Sequence, residues 1–136
     1  MTAGYSGTPL VQKLGLKPGM RAWFSAMPQS VRDEIGLLDA EMIEEAEAVQ
    51  GLDTAHIFVT ERVEMHRILA DLRDLIQPAG QVWVSWPKKA AKVPTDITED
   101  VIRTVALPMG FVDVKVCAVD QIWSGLKLVI RKELRG

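Results

Sequence analysis

The chain has 136 residues, a length that fits one domain with a single hydrophobic core. Its 48% apolar and 25% charged residues are ordinary for a globular protein and argue against a disordered chain. The net charge is −2 and no basic face is visible in the sequence, so we expect no nucleic-acid partner.

The cysteine content and the hydropathy of the sequence indicate the cellular compartment in which the protein is expected. The single cysteine, Cys117, excludes an intrachain disulfide and a multi-cysteine zinc site. The first residues have no basic head and no apolar run, so they do not form a secretory signal. No apolar stretch has the length of a membrane span. We therefore expect a soluble, cytoplasmic protein that has no membrane partner.

The first third of the chain predicts an arm, a strand and two short helices. Residues 1–9 are small and Gly-rich and read as an N-terminal arm. A helical turn is predicted over Val11–Leu16, and a strand over Arg21–Ala26 that Pro28 stops. A short helix is predicted over Ser30–Leu37, with its first residue as the N-cap.

The segment Asp39–Gln50 supports two interpretations. Met42, Ile43, Ala46 and Val49 have helical spacing, whereas a short edge strand over Met42–Glu45 is the alternative.

The middle of the chain predicts two buried strands around a helix. The compact apolar run Thr54–Thr60 is typical of a strand covered on both faces. A helix is predicted over Glu61–Gln77, and a second strand over Gln81–Trp86 follows a Pro-Ala-Gly turn. The helix has one apolar stripe, formed by Met65, Leu69, Leu72 and Ile76.

The last third predicts a polar loop, a helix and a hairpin. The loop Pro87–Pro94 precedes a helix that has Ile97, Val101 and Val105 on one face and ends before Pro108. The strands Phe111–Val119 and Trp123–Arg131 are joined by a link so short that they must be antiparallel.

Alternation of strands and helices predicts a mostly parallel sheet with right-handed crossovers. Arg21–Ala26, Thr54–Thr60 and Gln81–Trp86 are then parallel neighbours, and Trp123–Arg131 is antiparallel to its companions. The predicted fold is one α/β domain over residues 1–136, a Rossmann-like three-layer sandwich with a C-terminal antiparallel hairpin.

Two stretches of the sequence resemble class I methyltransferases. Leu14–Phe24 is similar to the entry to their first strand, and Leu75–Val84 to their penultimate helix-to-strand passage. The whole chain further resembles a bacterial family known as domain of unknown function 3052, through Gly4–Leu10, Trp86–Lys89, Lys115–Asp120 and Trp123–Leu126. These resemblances imply a class I methyltransferase-like sheet and imply no activity.

The chain departs from the methyltransferase pattern at the turn after the first strand. Methyltransferases have a glycine-rich turn there, because the backbone must approach the adenosyl cofactor closely. Here the turn Ala26–Ser30 contains no glycine, and Pro28 lacks a donor amide. The acidic residue that would hold a ribose has no clear counterpart among Glu44, Glu45 and Glu47. We therefore expect no bound cofactor and no useful adenosylmethionine affinity.

Ligands of open α/β sheets lie beyond the carboxyl ends of the strands. That edge is predicted to gather Met27–Ser30, Thr60 with Glu61, Trp86–Lys89 and Asp120–Ser124. Lys88 and Lys89 beside Trp86 could hold a phosphate or carboxylate while the indole stacks on a planar group. The alternative is a solvated lysine loop after a partly buried tryptophan.

Asp120, Trp123 and Ser124 complete the candidate binding residues. A carboxylate and a hydroxyl from this hairpin could reach the same cleft. The alternative is that Asp120 caps the hairpin turn while Trp123 packs in the core.

The remaining reactive side chains predict no catalytic set and no metal site. Cys117 on a strand is more typical of a buried hydrophobe than of a nucleophile. His56 fits a hydrogen-bonded core histidine and His66 a solvated helix position, and their spacing does not suit a metal. Ser124 with Gly125 lacks the context of a nucleophile elbow. The glutamates of residues 41–47 are predicted to form a solvated face.

Three functions remain open from the sequence. The first is a non-methylating domain that binds a small anionic or nucleotide-like ligand, or has a regulatory role. The second is an enzyme, either a divergent adenosylmethionine-dependent methyltransferase or one that acts through Asp120 and the lysines. The third is a protein-interaction module that uses an edge strand or the segment Gly4–Leu10, and a homo-oligomer is compatible with it.

Overall fold

The computed structural model describes residues 8–36 and 40–135. Most of the predicted arm over residues 1–9 lies outside these ranges, as do Leu37 and the beginning of the segment Asp39–Gln50.

The described chain forms six strands and four helices. The strands are β1 (Arg21–Ser25), β2 (Ile43–Glu44), β3 (Leu52–Phe58), β4 (Ile76–Pro87), β5 (Phe111–Ala118) and β6 (Trp123–Ile130). The helices are α1 (Leu10–Lys13), α2 (Gln29–Ile35), α3 (Arg62–Leu75) and α4 (Glu99–Ala106). Short 3-10 turns occupy Lys89–Ala91, Leu107–Met109 and Lys132–Leu134.

The strands form one sheet in the order β2-β1-β3-β4-β6-β5. The strands β1, β2, β3 and β4 are parallel where they pair, and β6 is antiparallel to both β4 and β5. The predicted parallel neighbours and the antiparallel hairpin are therefore confirmed. Because β6 is reversed, its amino end lies at the edge where β4 ends.

Each face of the sheet packs against a different pair of helices. On the first face, α3 and α4 bury Leu69, Leu72 and Ile102 against Ile57 and Val84 of the sheet. On the second face, α1 and α2 cover Phe58 and Trp83, with Leu10, Leu14, Val31 and Ile35 in the same cluster. This three-layer arrangement explains why β3 and the second half of β4 are almost continuously buried.

Trp83 and Gln81 connect the end of α1 to the centre of the sheet. The indole Nε1 of Trp83 donates to the Leu14 carbonyl oxygen at 3.0 Å, and the Gln81 amide donates to the same oxygen at 2.8 Å. All three groups are buried, so these bonds satisfy polar atoms that water cannot reach.

Three sequence predictions need correction. Ser30 is not the N-cap of α2: the helix begins at Gln29, directly after Pro28, without a side-chain cap. It ends at Ile35, because Gly36 takes the left-handed conformation that stops a helix. The helical interpretation of residues 40–50 is wrong, and the edge-strand alternative is right, since Ile43 and Glu44 pair with β1.

The predicted boundary between α3 and β4 is also wrong. The prediction extended the helix to Gln77, but Ile76 is already extended and pairs with Leu52. The register shifts after Leu52, so the Pro-Ala-Gly segment lies inside the strand as an irregularity instead of preceding it. Gly80 permits this path, because a Cβ there would lie 2.7 Å from a side-chain carbon of Ile76 and 2.9 Å from the Asp53 carbonyl oxygen.

Candidate functional site

The carboxyl ends of the parallel strands form the candidate site, and the loop after β4 is its main wall. Lys88 N–H donates to the Ile122 carbonyl oxygen at 2.7 Å, which fixes the start of this loop to the β5–β6 hairpin. Further along, the Thr95 hydroxyl donates to the Thr60 carbonyl oxygen at 2.6 Å, and Asp96 accepts from the Arg62 N–H at 2.7 Å. The loop is thus attached to both sides of β4.

A groove of about 530 Å³ opens between this loop and the beginning of α4. It is lined by Trp86 and Lys88 to Lys89, as the sequence predicts, and also by Lys92, Thr95 and Thr98. The N-cap of α4 is Thr98, whose hydroxyl accepts from Val101 N–H at 3.2 Å. The positive end of this helix therefore lies at the groove, together with Glu99 and Asp100 of its first turn.

The three lysines of the groove have no acidic partner among the described residues. The one carboxylate that lines the groove, Glu99, is paired with Arg103 on the next turn of α4. Lys92 was missed as a site residue because the sequence shows it only as one more residue of a polar loop. Its backbone is left-handed, with φ 56°, a conformation that non-glycine residues adopt at a cost.

Trp86 contributes to the groove differently from the sequence prediction. Its side chain is only 9% exposed and belongs to the core that α3 and α4 cover. Little of the indole is therefore free to stack on a ligand. Trp86 is thus even more buried than the partly buried side chain of the alternative interpretation, whereas the two lysines that follow it do line the groove.

The β5–β6 hairpin brings the other candidate residues beside the same edge. Ser124 pairs in register with Trp86, and Trp123 with Pro87. Asp120 caps the turn, because one of its carboxylate oxygens accepts from both Ile122 N–H and Trp123 N–H at 2.8 Å. The ring of Trp123 packs edge-on against Phe58, with ring centres 5.1 Å apart. Asp120 therefore caps the hairpin turn and Trp123 packs against a core side chain, as the alternative interpretation of these residues predicted.

The turn after β1 keeps a conformation typical of glycine although it contains none. Ala26, the residue directly after β1, has φ 55°. Ala26 is exposed, so its methyl group lies at the surface at the point where methyltransferases have a glycine-rich turn.

The acidic residues at the end of β2 are engaged by arginines. Glu44 forms a bidentate pair with Arg32 at 3.0 and 2.7 Å, and Glu45 pairs with Arg21 at 3.1 Å. Glu44 is exposed, as the prediction of a solvated face implies, and the structure adds that both carboxylates are ion-paired. These two ion pairs connect α2 and β1 to the edge strand β2 and the residue that follows it.

The remaining reactive side chains occupy structural positions. His56 is buried and hydrogen-bonded to Ser85, as predicted for a core histidine. Burial raises the pKa of the Cys117 thiol, although Lys13 and Lys115 act in the opposite direction. Over residues 8–36 and 40–135, no three His, Cys, Asp or Glu side chains are grouped as metal ligands would be. Within the same ranges, none of the helices has the length and apolar character to span a membrane.

Comparison of the sequence with family descriptions and with curated proteins finds no match. Comparison of the fold with solved structures finds many. A SAM-dependent methyltransferase from Aquifex aeolicus matches at TM-score 0.59 and 14% identity, over 89% of this chain and 87% of that one. Magnesium protoporphyrin IX methyltransferase from Synechocystis with bound SAM matches at TM-score 0.58 and 12% identity, over 89% of this chain and 74% of that one.

Aeropyrum pernix fibrillarin in complex with S-adenosyl-L-methionine matches at TM-score 0.54 and 13% identity, over 93% of this chain and 70% of that one. At these identities the likeness concerns the fold and not the chemistry. The chain is an α/β domain with the fold of class I SAM-dependent methyltransferases.

Proposed function

We propose that this chain is a small-ligand-binding domain that holds an anionic or nucleotide-like molecule in the groove beside Lys88, Lys89 and Lys92, without transferring a methyl group. The observation that carries the proposal is the set of three groove lysines without acidic partners in the described ranges, next to the positive end of α4. Such a set attracts phosphate or carboxylate groups, and a ligand would not have to break an ion pair of these lysines in order to bind.

A divergent methyltransferase is the second candidate, and the comparisons favour it. The similar solved structures include a methyltransferase and a fibrillarin with bound SAM, and Ala26, directly after β1, has the positive φ that glycine adopts readily in a tight turn. Two local features favour the non-methylating role instead. Glu44 and Glu45, two carboxylates at the end of β2 that could contact a ribose, are held by arginines, and Pro28 removes a backbone donor from the turn.

Calorimetric titration separates the two candidates. Inorganic phosphate and adenosine monophosphate serve as anionic probes, and adenosylmethionine tests the methyltransferase. We expect saturable heat with an anionic probe and none with adenosylmethionine up to about millimolar, a limit that corresponds to roughly −4 kcal/mol. A micromolar adenosylmethionine isotherm would establish the second candidate and overturn the first.

A double substitution, Lys88→Ala with Lys89→Ala, tests the groove itself. It should weaken the anionic probe by ~1–3 kcal/mol, the usual contribution of hydrogen bonds to charged groups. Folding should stay nearly intact, because exposed lysines contribute little to stability. Lys132→Ala, at an exposed position in the C-terminal 3-10 turn, is the control and should bind as the unmodified protein does. Equal affinity in the double variant would show that the groove is not the site.

A further inference from the structure

A second group of lysines lies on the other face of the sheet, away from the groove. Lys115 of β5 and Lys127 of β6 are direct cross-strand partners, so their side chains share one face. Trp83 pairs with Lys127 on the same face, and the Lys115 ammonium lies 5.9 Å from the Trp83 ring centre. The charge of Lys17, from the loop after α1, contributes to lowering the pKa of Lys127. We call Lys17, Lys115 and Lys127 the lysine face.

The lysine face has no counter-charge in the described ranges. None of its three members forms an ion pair there. Burial lowers the pKa of Lys127, and the charges of Lys115 and Lys17 lower it further. Residues 1–7 contain no aspartate or glutamate, so that segment cannot neutralise the face with side-chain carboxylates. Like charges directly opposite each other destabilise a sheet, and a bound anion from outside the chain would offset that repulsion.

The strand that carries Lys115 is also an edge of the sheet. β5 has eight residues and pairs with β6, whereas β2, at the opposite edge, has only two. Val114 and Val116 on β5 are 53% and 47% exposed. Val116 pairs with Leu126 and so points to the face opposite Lys115. A long edge strand with exposed aliphatic side chains is a template for another strand.

Charge decides which strand fits this edge. A second copy of the chain that pairs through β5 about a two-fold axis would set the two lysine faces side by side, and repulsion opposes that arrangement. Base stacking on this face is also disfavoured, because Trp83 is fully buried. An extended peptide with alternating acidic and aliphatic residues would instead meet Lys115 and Lys127 with its carboxylates and Val116 with its apolar side chains.

We propose that β5 and the lysine face form a docking edge for an extended acidic segment of a partner protein, which adds to the sheet as a seventh strand. The proposal does not depend on the groove, since Lys88, Lys89 and Lys92 take no part in it.

The test uses labelled octapeptides and fluorescence anisotropy with the full chain. One peptide alternates glutamate and valine, the second has the same composition with the glutamates in one block, and the third alternates lysine and valine. We expect the alternating acidic peptide to bind, with affinity that decreases as salt increases, and the lysine peptide not to bind. The blocked peptide should bind at least roughly tenfold more weakly, because its carboxylates cannot all face one side.

Variants assign the binding to this edge. Lys115→Gln with Lys127→Gln should weaken the alternating peptide by about tenfold or more, and thermal unfolding should show that this variant still folds, since the substitution removes a like-charge pair. Lys132→Gln is the matched control and should bind normally. The Lys88→Ala, Lys89→Ala variant should also bind normally, which separates this test from that of the groove.

Three results would overturn the proposal. One is the absence of binding by the alternating acidic peptide. Another is equal binding of the alternating and blocked peptides, which would indicate attraction by charge without strand addition. The last is unchanged affinity in the Lys115→Gln, Lys127→Gln variant.

Discussion

The imidazole Nε2 of His56 and the hydroxyl oxygen of Ser85 lie 2.7 Å apart on the neighbouring strands β3 and β4. Both side chains are buried, and the imidazole also stacks on Phe58 with ring centres 4.4 Å apart. The other ring nitrogen, Nδ1, finds no hydrogen-bond partner among the described residues. The pair lies on the same two strands as a second buried polar pair, Thr54 and Gln81, and it has almost no exposed surface at which a substrate could react.

Burial of His56 predicts a loss of stability in acid. Burial lowers the pKa of His56 to about 3, whereas the unfolded chain has the ordinary value of 6.5. As the pH falls from 6.5 toward about 3, the unfolded chain binds a proton that the folded chain cannot, so the free energy of unfolding decreases. His56→Gln should remove this contribution to the acid dependence of stability. The free energy of unfolding of the variant, measured by denaturation, should fall less between about pH 7 and about pH 4 than that of the unmodified protein.

The control for this measurement is His66→Gln, at an exposed position of α3. It should retain the full acid dependence of the unmodified protein. If His56→Gln loses stability in acid as steeply as the control, the buried imidazole is not the cause.

Ala26→Gly should not destabilise the protein, in contrast to an ordinary alanine-to-glycine change. Glycine relieves the left-handed strain at φ 55°, typically ~1–2 kcal/mol, and offsets the entropy that it adds to the unfolded chain. Ala70→Gly, at an exposed site inside α3, is the matched control and should lose about 1 kcal/mol. Urea unfolding of both variants gives the comparison, and equal losses would argue that Ala26 is unstrained.

Lys127→Met should stabilise the folded chain at neutral pH and lose that advantage in alkali. The pKa of Lys127 is lowered by burial and by two lysines, so its charged form is disfavoured in the folded state. As the pH rises through this lowered pKa toward 10.5, Lys127 loses its proton in the folded chain before it does so in the unfolded chain. The unmodified protein therefore regains stability, and the advantage of the variant disappears.

Thermal unfolding at about pH 7 and about pH 10 measures this difference, with Lys132→Met as the control. A stabilisation by Lys127→Met that is the same at both pH values would point to packing and not to charge.

Trp83 and Gln81 should be coupled through the Leu14 carbonyl oxygen that both of them donate to. After Trp83→Phe or Gln81→Leu alone, one donor still satisfies that buried oxygen. The double variant leaves the oxygen without either donor, a penalty of ~1–3 kcal/mol for a buried polar group. A double-mutant cycle in urea should therefore show a loss larger than the sum of the single losses, and additive losses would refute the coupling.

The sequence by itself determined the order of elements and the predicted core of the sheet. Apolar runs such as Thr54–Thr60 and the stripe of Met65, Leu69 and Leu72 predict buried strands and a one-sided helix, because hydrophobic periodicity follows from backbone geometry. The short link between β5 and β6 determined the reversed last strand in the same way. These local rules also predict that Lys88 and Lys89 lie at the carboxyl edge, where the structure has a groove.

Only the tertiary structure decided what each polar residue contacts. Glu44 meets Arg32, and Thr95 meets Thr60, because the backbone brings residues distant in sequence within a few ångströms of each other. The left-handed conformation of Lys92 depends on the geometry of its turn. The placement of Lys115 directly opposite Lys127 depends on the register between β5 and β6. A shift of register by one residue would place Lys115 on the other face of the sheet, and composition and spacing do not determine that register.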